Sequence, residues 1–175
     1  MGSQKQNLQK STIGFLIGGI IMNIDDTIKS NFQFIGSCIL RIDLKNDLLF
    51  LPEADELKLV MGAEYEINQI EYTDDRILGT VTLEVKARAK KKKSSQQMSV
   101  KIYIQGCFTD SADISESSFR EMLGLNGCAA LYSIARAQII NLTSQAMNGG
   151  QLILPMINFF EMKTVKDKKE SEKSE

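Results

Sequence analysis

FREMLGLNGCAALYSIARAQIINLTSQAMNGGQLILPMINFF, Phe119 to Phe160, joins the longest helical pattern of the chain to an apolar segment, with a sharp stop between them. Phe119, Met122, Leu123, Cys128, Leu131, Ile134, Ala135, Ile139 and Leu142 recur at helical spacing, and a period of 3.6 gathers them onto one broad apolar face. Asp113, Ser115, Ser117 and Ser118 offer N-caps upstream, and Asn148-Gly149-Gly150 is a left-handed C-terminal stop. Gly124 and Gly127 each cost roughly 1 kcal/mol in a helix interior. A bent or broken first turn is therefore expected, the other reading being glycines that permit close packing. From Cys128 to Ala146 the helix is rich in small residues, among them Ala129, Ala130, Ser133, Ala135 and Ala137. Such residues on two faces suit a helix clasped between the layers of an assembly.

Upstream of this stretch the apolar period changes from 3.6 to two, the signature of strands. Ser37 to Leu44 places Cys38, Leu40, Ile42 and Leu44 on one side and Ser37, Arg41 and Asp43 on the other, as a half-buried strand does. Asp47 to Val60 breaks the alternation: Leu48, Leu49, Phe50 and Leu51 stop at Pro52, an acidic patch follows, and Leu57 and Leu59 resume. This is a connection with more apolar surface than an ordinary loop carries. Ala63 to Tyr72 is a second strand whose apolar set slips by one residue between Ile67 and Ile70, which a bulge explains. Ile77 to Ala89 and Met98 to Phe108 alternate most regularly and form a hairpin, with Thr80, Thr82, Glu84, Lys86 and Arg88 outward on the first. Its tip, Lys90 to Gln97 (KKKKSSQQ), reads as a solvated turn that also discourages edge pairing. The expected fold is α+β: a four-stranded antiparallel sheet with a long helix and a short second helix packed on one face.

The chain of 175 residues fits one domain by length, and 43% hydrophobic with 25% charged residues is ordinary for a soluble globular protein. We expect an N-terminal extension over residues 1–31, a domain over 32–162 and a disordered charged tail over 163–175. A net charge of −1 argues against a nucleic-acid partner. There is no His, which removes the commonest general base and metal ligand. Neither a phosphate loop nor a C-x-x-C pair occurs, so no catalytic residue, metal or cofactor is expected. Cys38, Cys107 and Cys128 read as reduced core residues of a cytoplasmic protein. Ile13 to Met22, IGFLIGGIIM, is too short to span a bilayer as a helix and lacks a cleavage site before its polar flank. A buried strand or short helix is expected there, with no stable membrane insertion.

One family resemblance rests on the organising stretch. Leu131-Tyr132-Ser133-Ile134-Ala135-Arg136, followed by Leu152-Ile153-Leu154-Pro155-Met156-Ile157-Asn158-Phe159, resembles the late pattern of the SecB family of bacterial protein-export chaperones. That pattern is an aromatic-rich helical turn ending in Ala-Arg, a turn, and then L-x-L-P-P-I-N-F. Met156 stands where the family often has a second proline, and Ser133-Ile134 where it has Pro-Tyr. The resemblance covers roughly residues 34–162. It implies a tetramer, a dimer of dimers with the long helices between the sheets. It also implies a groove between the helical layer and the crossover connection that holds non-native polypeptides without ATP.

With the resemblance, the surplus of apolar surface suits that client groove at Leu48, Leu49, Phe50, Leu51, Leu57 and Leu59 with Leu154, Met156, Ile157 and Phe159, the rival reading being that the same residues are core and subunit interface. Cys128, Leu131, Ile134, Ala135, Gln138 and Leu142 are expected at the oligomer interface. Export members are strongly acidic, with an acidic sheet face that docks on the motor SecA. Here the outward face carries Lys86, Arg88 and Lys101, which puts that contact in doubt. The functional expectation is an ATP-independent holdase for unfolded polypeptides, in export or otherwise. The alternatives are a SecB-like chaperone dedicated to one partner such as an antitoxin, or a structural scaffold without holdase activity.

Overall fold

The structure, a computed structural model, describes residues 14–17, 20–23 and 30–162. The chain divides into two compact units, Met1–Asn31 and Phe32–Glu175. In the first, β1 (Gly14–Ile17) and β2 (Ile20–Asn23) form a two-stranded antiparallel hairpin, so the described part of the apolar run is strand. The charged segment beyond Met162 lies outside the described residues.

In the second unit, β3 (Gln33–Asn46), β4 (Leu57–Tyr72), β5 (Arg76–Lys91) and β6 (Gln97–Ser111) form one antiparallel sheet in the order β3-β6-β5-β4. The two central strands obey their alternation. Ile77, Val81, Leu83, Val85, Ala87 and Ala89 of β5 are buried, as are Met98, Val100, Ile102, Ile104 and Phe108 of β6. Residues opposite one another in antiparallel register share a face, so the pairs Leu83↔Ile104 and Val85↔Ile102 make the sheet's inner floor. In β4 the register shifts between Ile67 and Ile70. This bulge brings Tyr65, Ile67, Ile70 and Tyr72 all opposite inward residues of β5 despite the slip in sequence.

The first strand departs from its expected pattern. A second bulge falls between Ile39 and Arg41, so that Ile39 pairs with Ile104 and Ile42 with Ile102 on the inner face, while Cys38 pairs with Gln105 on the outer one. Cys38 is therefore exposed and not a core residue, Cys107 is half-buried, and only Cys128 is fully buried. The strand is not half-buried either: it is a sheet edge on which Phe34, Ile35, Ile39 and Leu40 all stand exposed. Around the start of β3 an aromatic cluster closes the inner layer, Phe32 stacking on Phe108 at 5.3 Å between centroids and meeting Phe119 edge-on at 6.0 Å.

The helical layer crosses the inner face. α1 (Glu116–Met122) starts at Ser115, whose side chain accepts from the Ser118 amide. It runs through a π turn, Leu123–Gly127, into α2 (Cys128–Ala146). The helix is thus continuous through the two glycines, neither broken nor started after them. They serve close packing: a Cβ on Gly124 would stand 3.1 Å from the Tyr65 hydroxyl, and one on Gly127 3.3 Å from the Phe108 ring. Gly79 and Gly106 do the same from the sheet, where a Cβ would meet Leu123 and Leu131 respectively at 2.7 Å. Gly150, at φ +85, turns the chain after α2, and a helical turn over residues 159–162 supplies the short second helix.

Candidate functional site

Two extended segments meet at the C-terminal end of α2. One is the connection from Asn46 to Glu56, the other the strap from Asn148 to Asn158. The Asn148 amide donates to Leu49 O at 2.9 Å and the Leu51 amide to Gly149 O at 3.4 Å, which sets the segments side by side. Asn46 anchors the junction: its Nδ2 donates to Ala146 O, an open helix-end carbonyl, at 2.6 Å, and its Oδ1 accepts from the Leu48 amide at 2.9 Å.

The strap then runs back along α2, held by side chains in place of a sheet ladder. Thr143 Oγ1 accepts from the Leu152 amide at 3.0 Å, Arg136 Nε donates to Leu154 O at 2.6 Å, and the Tyr132 hydroxyl donates to Pro155 O at 2.7 Å. Tyr132 also meets the Phe159 ring edge-on at 5.7 Å. Burial pushes the Tyr132 hydroxyl's pKa up, with Arg136 opposing. The Ala135-Arg136 and Leu152-to-Pro155 motifs, separated in sequence, are therefore two halves of one contact.

This geometry sorts the ten expected groove residues. Leu48, Leu154 and Phe159 are buried core and unavailable to a ligand; alternation turns Leu154 inward with Leu152, while Leu48 follows the Asn46 cap and Phe159 packs on Tyr132. Leu57 and Leu59 belong to β4 and not to the connection; Leu59 is exposed and Leu57 half-buried. Leu51 and Ile157 are half-buried. Leu49 at 72% exposure, Phe50 at 63% and Met156 at 75% stand open. Ile153 and Phe160, also exposed, extend the same apolar band and were not among the residues singled out from sequence. The signal that would have found Ile153 is its alternation with Leu152 and Leu154. No buried side-chain polar atom lacks a partner among the described residues.

Of the six expected interface residues, Cys128, Leu131 and Ala135 are fully buried within the chain itself. Ile134, Gln138 and Leu142 are half-buried, while Ala129, Ser133, Ala137 and Asn141 form the open side of α2. The small residues that suggested a helix between layers are thus divided between the two sides. No group of three or more His, Cys, Asp or Glu able to hold a metal occurs among the described residues. No helix among them is long and apolar enough to cross a membrane.

No protein-family model and no curated protein matches the sequence. Among solved structures the chain is similar to a SecB-like chaperone of Mycobacterium tuberculosis, determined in complex with a ChAD peptide from an antitoxin. The TM-score is 0.51 at 15% identity, and the match covers 72% of this chain and 90% of that one. The fold is SecB-like, an α+β layer of four antiparallel strands under one long and one short helix.

Proposed function

We propose that the chain is an ATP-independent chaperone that holds non-native polypeptides in the apolar band between the connection and the strap. The observation that carries this reading is the side-by-side placement of Leu49 and Phe50 with the strap bearing Ile153, Met156 and Phe160, all exposed. Surplus apolar area of this kind marks a contact site. Burying client side chains there contributes about 25 cal/mol per Å2, a non-directional force that tolerates varied sequences, and the flexible Met156 adapts to them. Neither a cofactor nor catalysis is needed for such binding.

The working form is a cytoplasmic homo-oligomer, a tetramer by resemblance. Two features support assembly: an edge strand of 14 residues with Phe34, Ile39, Ile42 and Leu44 exposed on its inner side, and the open small-residue side of α2. A second reading is a chaperone dedicated to one partner, favoured by the peptide-bound state of the similar mycobacterial protein. Docking on the export motor SecA finds less support, because the outward sheet face is basic at its hairpin end.

The test is suppression of aggregation of an unrelated denatured protein, comparing the wild type with Phe50→Asp and Met156→Asp, each checked by light scattering for unchanged mass. Both variants should suppress poorly. Equal suppression by all three would remove this surface from the function, and failure of the wild type alongside tight binding of a single cellular partner would favour the dedicated reading.

A further inference from the structure

The outer face of the sheet carries an ordered charge pattern that the chaperone reading does not use. Register sets its residues in rows across the strands. Nearest the β5-β6 turn, Lys58 of β4, Lys90 of β5 and Gln97 of β6 form one row. The next is Val60, Arg88, Ser99 and Lys45; the next again Gly62, Lys86, Lys101 and Asp43. Beyond these acidic residues prevail, with Glu64, Glu84, Tyr103 and Arg41 in one row and Glu66 in the following one.

The acidic rows neutralise only the nearest cations. Lys86 lies 3.0 Å from Glu64 and 3.4 Å from Glu84, and Lys101 lies 3.4 Å from Glu84. Lys45, Lys58, Arg88 and Lys90 make no ion pair or side-chain hydrogen bond among the described residues, and all four are exposed. Between them is a depression of about 490 Å3 lined by Lys45, Lys86, Arg88 and Lys101, with Val60 as an apolar element and Asp43, ion-paired to Arg41 at 2.9 Å, as its one carboxylate. It is followed toward the turn by one of about 630 Å3 lined by Lys58 and Lys90.

We propose that this half of the outer face docks an acidic polypeptide segment in extended conformation. The unpaired Arg88 and Lys90 stand along β5 at the alternate-residue spacing of a strand, roughly 6.8 Å, with Lys45 and Lys58 in the same two rows. An extended peptide presents alternate side chains at the same period, so carboxylates at every second position meet successive cations. The unpaired cations supply the attraction, Val60 takes one apolar side chain, and the glutamate rows repel the segment from the other half and fix its extent. A single-stranded nucleic acid would meet the same charges but needs aromatic faces for its bases. The outward aromatic of the next row, Tyr103, already has Lys101 at 5.4 Å and Arg41 at 5.9 Å from its ring.

The experiment is fluorescence anisotropy on the full chain, using a labelled peptide of alternating glutamate and serine, the matching lysine-serine peptide, and oligothymidylate. The acidic peptide alone should bind, with affinity falling at least tenfold as salt rises from about 50 to about 300 mM. Lys45→Glu with Arg88→Glu should weaken it by at least tenfold, and Lys45→Gln with Arg88→Gln by less. Circular dichroism and aggregation suppression should be unchanged in both. Equal binding by wild type and the charge-reversed variant, no binding of the acidic peptide, or tighter binding of oligothymidylate would each overturn the proposal.

Discussion

Arg136 Nε donates to the carbonyl oxygen of Leu154 at 2.6 Å, so one cation on α2 fastens the middle of the strap to the helix beneath it. The Tyr132 hydroxyl does the same one residue on, at Pro155 O. Because the strap has no sheet ladder, these side chains set its register against the helix. Arg136→Ala should therefore cost about 1.5 to 3 kcal/mol, the range for a charge-assisted hydrogen bond. Hydrogen exchange at the Leu152 amide should accelerate more than at Ile102 in β6. Equal acceleration at both sites would mean that Arg136 supports the whole domain and not the strap.

Leu154 and Phe50 belong to the same apolar region but should respond differently to a carboxylate. Leu154 is 1% exposed, so Leu154→Asp buries a charge and should destabilise the domain by at least about 3 kcal/mol. Phe50→Asp should leave the urea midpoint nearly unchanged. A soluble Leu154→Asp protein with a native midpoint would contradict the inward orientation of that side chain.

Gly106 lies under Leu131, where α2 packs on the sheet. A Cβ there would stand 2.7 Å from Leu131 Cδ2 and 2.9 Å from the Phe108 ring. Gly106→Ala should cost about 1 to 3 kcal/mol through overpacking. Combining it with Leu131→Ala should recover part of that loss in a double-mutant cycle.

Lys93, in the β5-β6 turn, has φ 55, a left-handed conformation that a side chain disfavours. Lys93→Gly should raise stability by up to about 1 kcal/mol, less the greater freedom of glycine in the unfolded chain. Thermal unfolding is the measurement, and a lowered midpoint would contradict the strain.

Glu84 titrates below the ordinary carboxylate range. The largest cause is its hydrogen bond with Tyr103; Lys101 and Lys86 add to it, and partial burial opposes. A depressed carboxyl contributes stability above its unfolded pKa, about 4.3, and that stability is lost as pH falls through the folded value. The wild type should accordingly lose urea resistance below pH about 4.3, and Glu84→Gln should show a shallower acid limb. Parallel acid limbs would assign the loss to other carboxyls.

How much could be read from the chain depended on whether a segment's environment was set locally. β5 and β6 are covered on one face along their length, so alternation predicted their large inward side chains, while the inward Gly79 and Gly106 carried no apolar signal. The slip from Ile67 to Ile70 also announced its bulge. β3 misled because apolar residues stand on both sides of a bulge at Ile39 and Arg41, and alternation cannot locate an extra residue on an edge that water reaches. The π turn was invisible for a similar reason: Gly124 and Gly127 signal an irregularity without its kind. In the candidate site Leu48, Leu49 and Phe50 look alike in sequence, and the side-chain cap of Asn46 decides which turns inward.

The sheet order has a consequence during synthesis. β3 leaves the ribosome first, yet its one neighbour, β6, is the last strand made, because β4 and β5 lie between them in the chain. At ordinary elongation rates the nascent β3, with Phe34, Ile39, Ile42 and Leu44 uncovered, waits on the order of several seconds for its partner. During that interval this polypeptide has the same hazard as the unfolded chains it is proposed to hold: an uncovered apolar edge with no partner strand yet made.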